Sequence, residues 1–440
     1  MSLLNPQSRA VIAPTRGSGK LWQRLAIGTN WPILAAVGVL SAMGVLTIWA
    51  DKKPDGTSDG PKQLIFLVVS IFCMALFQAV NYQKIGRLAW AFYAFSMLLI
   101  LYTVAGAELA HGKAGPTGIP GVSNTNGACA WITLGPRERP WVGLQPSELM
   151  KIAFILVLAR YLRFRSNYRT VWGLLPPFAV AGIPLLMIFK QPDLGTALTF
   201  IPPLFAMLFV AGAKKAHLLA IVGAGVLLAP LLWFSGRHVV EDKVTGATHI
   251  CPTCPNLPVL RYLPQFVKHY QRDRVYAMLS SNSQELKDVA YQQTMAITAL
   301  SSGGITGNGL GRIPVSVHIP EWQNDMIFAV IGEQFGLFGS AVCLMAYIVL
   351  FAAGVEISAS TREPFGRLVA LGIVALLAGQ TFLNIAVTLK LMPVTGVTLP
   401  FISYGGSSLL ASFMAAGLLL NIGQNRPIVM ANNSFEFEEE

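Results

Sequence analysis

Ten apolar stretches alternate with polar connections along this chain, near residues 33–50, 64–80, 88–106, 147–163, 172–189, 194–212, 216–235, 325–354, 367–390 and 407–423. Runs of about 17 to 25 apolar residues match the thickness of a bilayer's hydrocarbon core when coiled as α-helix. The pattern therefore predicts an all-α integral membrane protein of about ten transmembrane helices, with a long loop over 236–324 between helices 7 and 8. An even number of spans puts both ends on one side.

The short connections say which side. Lys84 and Arg87, then Arg160, Arg163, Arg165 and Arg169, then Lys214 and Lys215, then Arg362 and Arg367 fall on one face, together with Arg9, Arg16, Lys20 and Arg24 ahead of the first span. By the positive-inside rule that face is cytoplasmic. The expected layout is a cytoplasmic segment over 1–31, a polytopic membrane domain over 32–423, and an acidic cytoplasmic tail over 424–440. The protein is then a multi-pass resident of the cytoplasmic (inner) membrane. Loops near 107–146, 236–324 and 391–406 face outward. Residues 1–31 are basic and lack a short apolar stretch followed by a small-residue cleavage site, so the first helix reads as an uncleaved anchor.

Composition agrees: 53% of residues are hydrophobic and 12% charged, against roughly 25% charged in a soluble domain. The net charge of +11 follows the topology and is spread over loops on both faces, which argues against nucleic acid as a partner. Five cysteines are too few for a disulfide scaffold. Cys73 and Cys343 sit in apolar runs. Cys251 and Cys254 lie in the long outer loop, where a local disulfide, a pairing with Cys129, and a zinc set with His249 and His238 or His269 all stay open.

Chemistry concentrates where outer loops enter spans. Pro320-Glu321-Trp322-Gln323-Asn324-Asp325-Met326-Ile327-Phe328 puts two carboxylates at such a border. Acids there are expensive unless they have a function; on a helix, Glu321 and Asp325 would share a face. Gln145-Pro146-Ser147-Glu148 and Gln191-Pro192-Asp193-Leu194 are similar helix entries, in which Ser or Asp beside Pro also fits simple capping. They carry Glu148, Lys151 and Asp193 to the outer face, and Glu148 and Lys151 have the spacing to pair. The 262–279 stretch sets Lys268, Arg272 and Arg274 among Tyr262, Phe266, Tyr270 and Tyr276, a pattern suited to the membrane interface. Ser301 to Gly311 is glycine-rich, including Gly303 and Gly304. Such backbone can approach a phosphate or simply form a re-entrant turn, and it lacks the Lys-Ser/Thr of a nucleotide loop.

These segments, with Tyr291-Gln292-Gln293 and the run Pro393-Val394-Thr395-Gly396-Val397-Thr398-Leu399-Pro400-Phe401-Ile402-Ser403-Tyr404-Gly405-Gly406-Ser407-Ser408, occur in the order found in the SEDS family (shape, elongation, division and sporulation). The chain resembles that family from about residue 125 onward, and Pro393 to Gly396 resembles its elongation branch, RodA, more than its division branch, FtsW. The resemblance implies a peptidoglycan glycosyltransferase that polymerises lipid II into a glycan strand at the outer face of the cytoplasmic membrane, alongside a class B penicillin-binding protein. It implies Asp325 as the essential carboxylate and Arg274 as first among the phosphate-binding cations. The 391–406 loop, with Pro400, Ser403, Tyr404, Gly405 and Gly406, would shape the floor or gate of the site, or form a tight re-entrant turn without substrate contact. Three positions depart from the pattern: Ala130 where an Arg is usual, Asn324 for Thr, and Gln334 for an acid.

Joining two lipid-linked sugars requires a hydroxyl to attack an anomeric carbon while polyprenyl pyrophosphate leaves, so a base must reach that hydroxyl. Asp325 suits that role, with Glu321, Glu148, Lys151 and Asp193 as support. Arg274, Arg272 and Lys268 are cations for the pyrophosphate. A divalent cation (Mg or Mn) held by Asp193, Glu148 or Asp325 fits oxygen-ligand chemistry, and no organic cofactor is implied. A carboxylate nucleophile acting with retention is the alternative chemistry. The alternative functions are a lipid flippase or transporter, which needs acids near mid-span, and a noncatalytic scaffold.

Overall fold

A computed structural model of the chain describes residues 30–50, 58–109, 115–116, 119–124, 129–135, 142–164, 169–191, 193–233, 239–241, 248–250, 272, 274–275, 278 and 287–425. Most of the basic N-terminal segment and the acidic tail, together with Cys251, Cys254 and Lys268, lie outside the described residues.

The helices are α1 (Trp31–Ala50), α2 (Gly60–Ala79), α3 (Tyr82–Arg87), α4 (Ala89–Leu109), α5 (Pro146–Phe164), α6 (Leu175–Lys190), α7 (Leu194–Leu198), α8 (Ile201–Ala211), α9 (Lys215–Trp233), α10 (Lys287–Ser302), α11 (Ile327–Ser360), α12 (Pro364–Thr388) and α13 (Gly406–Gln424). Three small antiparallel ladders decorate the loops: β1 (Gly115–Pro116) with β2 (Ser123–Asn124), β3 (Ile132–Leu134) with β4 (Val142–Leu144), and β5 (Val239–Glu241) with β6 (Thr248–Ile250).

Among the described residues, eight helical stretches are long and apolar enough to cross a membrane: α1, α2, α4, α6 with the turn before it, α7 with α8, α11, α12 and α13. The other two expected spans are helical as well. One is α5, whose Glu148, Lys151, Arg160 and Arg163 lower its hydropathy; it is buried along most of its length. The other is α9, apolar over Lys215–Ala229. The chain is thus a multi-pass membrane protein.

Its interior is a core of side chains from α1, α5, α8, α11, α12 and α13. In it α13 packs along α2, α11 along α1 and α12, and α5 along α4. Outward faces carry exposed Ile65, Val68 and Phe72 on α2 and Phe338, Met345 and Ile348 on α11. A contiguous apolar exterior of that kind belongs in lipid. The expected single span over 194–212 is divided: α7 ends at Leu198, and α8 opens with Pro202 and Pro203 in its first turn, where proline's missing N–H is harmless.

The span expected over 325–354 also departs from a plain helix. It starts at Ile327 and breaks at Gly336, where φ is 66° and ψ −160°, a conformation essentially closed to residues with a Cβ. Residues 326–334 are buried, whereas Leu337 and Phe338 are exposed. The lipid-facing part of α11 therefore begins after the break, and the buried half projects beyond it toward Asp325.

The glycine-rich stretch closes over this break. Leu337 and Phe338 N–H donate to the carbonyls of Gly304 and Ile305, and Asn308 and Gly309 N–H donate to those of Glu333 and Gln334. A Cβ on Gly303 would sit 1.9 Å from the Gly332 carbonyl oxygen, so the backbones touch. Gly303 and Gly307 pack on the helix near its break, while Gly304 and Gly309 face open space.

Candidate active site

Asp325 lies in a turn just ahead of α11. Residues 320–325 are turns, Met326 is a bend, and Glu321 has φ 53°. This corrects the expectation that Glu321 and Asp325 share a helical face. A left-handed residue interrupts any helix at that point, and Glu321 instead accepts a hydrogen bond from Asn324 Nδ2 at 2.8 Å on the exposed side. Nor does a helix begin near Pro320; the helical end beside Asp325 is that of α11.

The 391–406 loop and the end of α12 bind the Asp325 turn. Asn384, on the last turns of α12, donates from Nδ2 to the carbonyl of Asp325 and to that of Val397, both at 2.8 Å. Ser403 Oγ donates to the carbonyl of Asn324 at 2.5 Å while accepting from Leu399 N–H. Tyr404 N–H donates to the Gln323 carbonyl at 2.9 Å. Tyr347 Oη reaches the Pro400 carbonyl at 2.5 Å. Phe401, buried with φ 67°, is a second strained non-glycine residue near the contact, and strain of that kind clusters at functional sites. Gly405 precedes α13 with φ 149°, and Gly406 opens that helix against Phe66.

The Asp325 side chain is half-buried. Its Oδ1 is sealed from water with no hydrogen-bond partner among the described residues. Burial pushes its pKa up to about 6; its own backbone N–H and the Arg274 guanidinium oppose the rise, and Glu321 adds to it. A carboxylate so placed is basic enough to take a proton near neutral pH. Arg274 is half-buried and donates from Nη1 to the Val394 carbonyl at 2.9 Å. It therefore touches the same 391–406 loop that holds the Asp325 turn. Arg272 is buried, and Lys268 lies outside the described residues.

The remaining acids do not join this group. Glu148 pairs with Lys151 at 2.7 Å, both side chains buried, beside Gln380 and Ser412. Asp193 caps α7: its Oδ1 accepts from Thr196 N–H at 2.9 Å, and its Oδ2 accepts from Thr196 Oγ1 at 2.7 Å and Gln145 Nε2 at 3.0 Å. Ser407 ties the same corner to the loop, accepting from Gln145 N–H and donating to the Gly143 carbonyl. Glu148 and Lys151 thus pair within α5, while Asp193 caps α7 and is tied through Gln145 to the entry of α5. Among the described residues no three acidic, histidine or cysteine side chains gather as a metal set, so Asp193, Glu148 and Asp325 do not fit a common ion.

Asn384 escaped the sequence reading, and Gln293 was named there within Tyr291-Gln292-Gln293 without a role. Asn384 is an amide inside an apolar run, and a polar group at such depth was itself a signal. Gln293 pins α10 to the loop, donating to the carbonyls of Val387 and Met392 at 3.1 and 2.7 Å.

The family model described as "Cell cycle protein", covering FtsW, RodA and SpoVE, matches residues 24–427. A protein of Geobacter sulfurreducens named "Probable peptidoglycan glycosyltransferase FtsW" is 32% identical over 398 residues, 88% of this chain and 92% of that one. A solved structure described as "Structural coordination of polymerization and crosslinking by a peptidoglycan synthase complex" matches with a TM-score of 0.68 and 27% identity, covering 91% of this chain and 99% of the other. The crystal structure of the Thermus thermophilus rod shape determining protein RodA matches with a TM-score of 0.60 and 25% identity over 91% and 98%.

Proposed function

The chain belongs to the FtsW, RodA and SpoVE family, and from that premise we propose that it is a peptidoglycan glycosyltransferase in which Asp325 is the general base. The observation that carries the assignment of the base is a carboxylate with a raised pKa, held by its backbone on the 391–406 loop beside Arg274. The substrate is lipid II, and the acceptor is a second lipid-linked sugar or the growing glycan strand.

In the reaction the acceptor hydroxyl oxygen attacks the donor's anomeric carbon. The new glycosidic C–O bond forms as the bond to the pyrophosphate oxygen breaks, and the electron pair leaves with polyprenyl pyrophosphate. The hydroxyl proton passes to Asp325. Arg274 meets the pyrophosphate charge. A single displacement with inversion suffices, because pyrophosphate leaves without a strong general acid. The polyprenyl tail lies along apolar faces, for which a groove of about 450 Å³ between α1 and α11, lined by Ala35, Val39, Phe338, Met345 and Val349, has the right chemistry.

The positive-inside pattern supports cytoplasmic termini and a site on the outer face of the cytoplasmic membrane. Likeness to a peptidoglycan synthase complex supports a class B penicillin-binding protein as partner. The form of Pro393 to Gly396 supports a role in elongation and cell shape, and the likeness to an FtsW favours division as the second reading. Depletion separates them: loss of an elongation enzyme rounds the cells, and loss of a division enzyme makes filaments.

A divalent ion, Mg or Mn, is proposed to enter on the pyrophosphate rather than on a protein ligand set. Chelation should then slow polymerisation while leaving the melting temperature of substrate-free protein unchanged; a chelator-induced drop in that temperature speaks for a resident ion.

The assay for the function is glycan-strand formation from labelled lipid II by the full chain with its partner. Polymer supports the enzyme; transfer of lipid II across liposomes without polymer supports a flippase.

A further inference from the structure

Glu333 is the deepest acid of the outer half of α11, fully buried, and the mechanism makes no use of it. Its carboxylate accepts from Val315 N–H at 2.8 Å and Ser316 N–H at 3.0 Å, from the Ser316 hydroxyl, and from Ser302 Oγ at 3.5 Å. A buried anion needs this many donors, and here the three shortest come from one segment, Val315 and Ser316, while Ser302 at the end of α10 gives the longest. The segment leads, through a 3-10 turn at Ser316–His318, into the strand of turns that ends at Asp325.

The Glu333 to Ser316 contact therefore closes a loop whose ends are 17 residues apart in sequence, with Asp325 near its middle. Inside it, Ile319, Trp322 and Met326 pack on Ala296, Ala299 and Val330. At its far side Ser403, Tyr404 and Asn384 hold the carbonyls of residues 323–325. The loop is fixed at its tip by neutral hydrogen bonds and at its base by a charged one, and charge-assisted bonds are roughly twice as strong.

We propose that Glu333 is a positioning residue: its carboxylate closes the loop that carries Asp325 and so sets where that side chain points. This rests on the reading of Asp325 as the base. Rate in such a site depends on placement at the level of one ångström, which is worth about 100-fold.

The test compares wild type, Asp325→Asn, Glu333→Gln and Ser316→Ala as full chains with the partner present, reading kcat, KM for lipid II and the pH dependence of the rate. Glutamine keeps the shape of Glu333 but turns an NH2 toward backbone N–H groups. It should lower kcat on the order of 100-fold with little change in KM. Ser316→Ala removes one hydroxyl and should lower kcat by roughly 3- to 10-fold, the loss of one hydrogen bond of about 1 kcal/mol. In both, water reaching the loosened loop should move the acidic limb to lower pH. Unchanged kcat and an unchanged limb in folded Glu333→Gln overturn the proposal; if that variant does not accumulate, the same result in Ser316→Ala overturns it. Should Asp325→Asn stay active, the base assignment has failed instead. If Asp325→Asn is silent and both clamp variants behave as wild type, the base stands and the clamp falls.

Discussion

Asp325→Asn should abolish glycan-strand formation while leaving the protein folded, membrane-inserted and able to bind lipid II. Asparagine is nearly the same shape. It keeps the backbone carbonyl that Asn384 holds and adds no steric conflict at a half-buried position. What it removes is the proton acceptor. A positioned general base contributes roughly 10²- to 10⁴-fold to rate, so residual activity should lie at or below the hundredth part of wild type. Stability should not fall, because a carboxylate whose burial already disfavours its charge is replaced by a neutral amide. Measuring polymer yield together with the thermal melting of the same preparation separates lost chemistry from lost fold.

A second large effect is expected from Lys151→Met. The pair with Glu148 is buried, at 3% and 7% side-chain exposure, inside a helix that sits in the centre of the bundle. Removing one partner strands the other, which typically costs about 3 to 5 kcal/mol. The single variant should therefore melt well below wild type or fail to accumulate. Glu148→Gln combined with Lys151→Met removes both charges and should recover most of that loss. If the double variant is as stable as wild type and also polymerises lipid II, the pair is structural. If it is stable but silent, the pair supports catalysis.

Much of the molecule could be read from the chain. Ten apolar runs fall on helices because hydrophobic length is a physical requirement of crossing lipid. The Asp325 junction was visible because a carboxylate beside an apolar helix is costly to keep. What escaped the reading depends on backbone geometry that composition does not carry. Glu321 and Asp325 have helical spacing, yet the positive φ of Glu321 takes them off any common face. Gly336 was one glycine among many; what marks it is the close approach of the Ile305 and Gly307 backbone, which leaves no room for a Cβ at the break. Glu148 and Asp193 looked like contributors to one cavity; Glu148 pairs instead with Lys151, and Asp193 is held by Thr196 and by Gln145 from the entry of α5. Asn384 stands 59 positions from the carbonyl it holds, a distance no local pattern spans.

The central claim is that the surroundings of Asp325 prepare it as a base, and the pH dependence of polymerisation tests it most directly. The carboxyl is raised to about 6 by burial, against the opposing charge of Arg274 and with the help of Glu321. A base works when deprotonated, so the wild-type rate should be full above that value and fall as the pH is lowered through it. Arg274→Gln removes the cation that restrains the rise, and its normalised limb should move to higher pH; Glu321→Gln should move it lower. A rate that stays flat from roughly pH 5 to 8, or a limb that ignores both substitutions, would contradict the assignment.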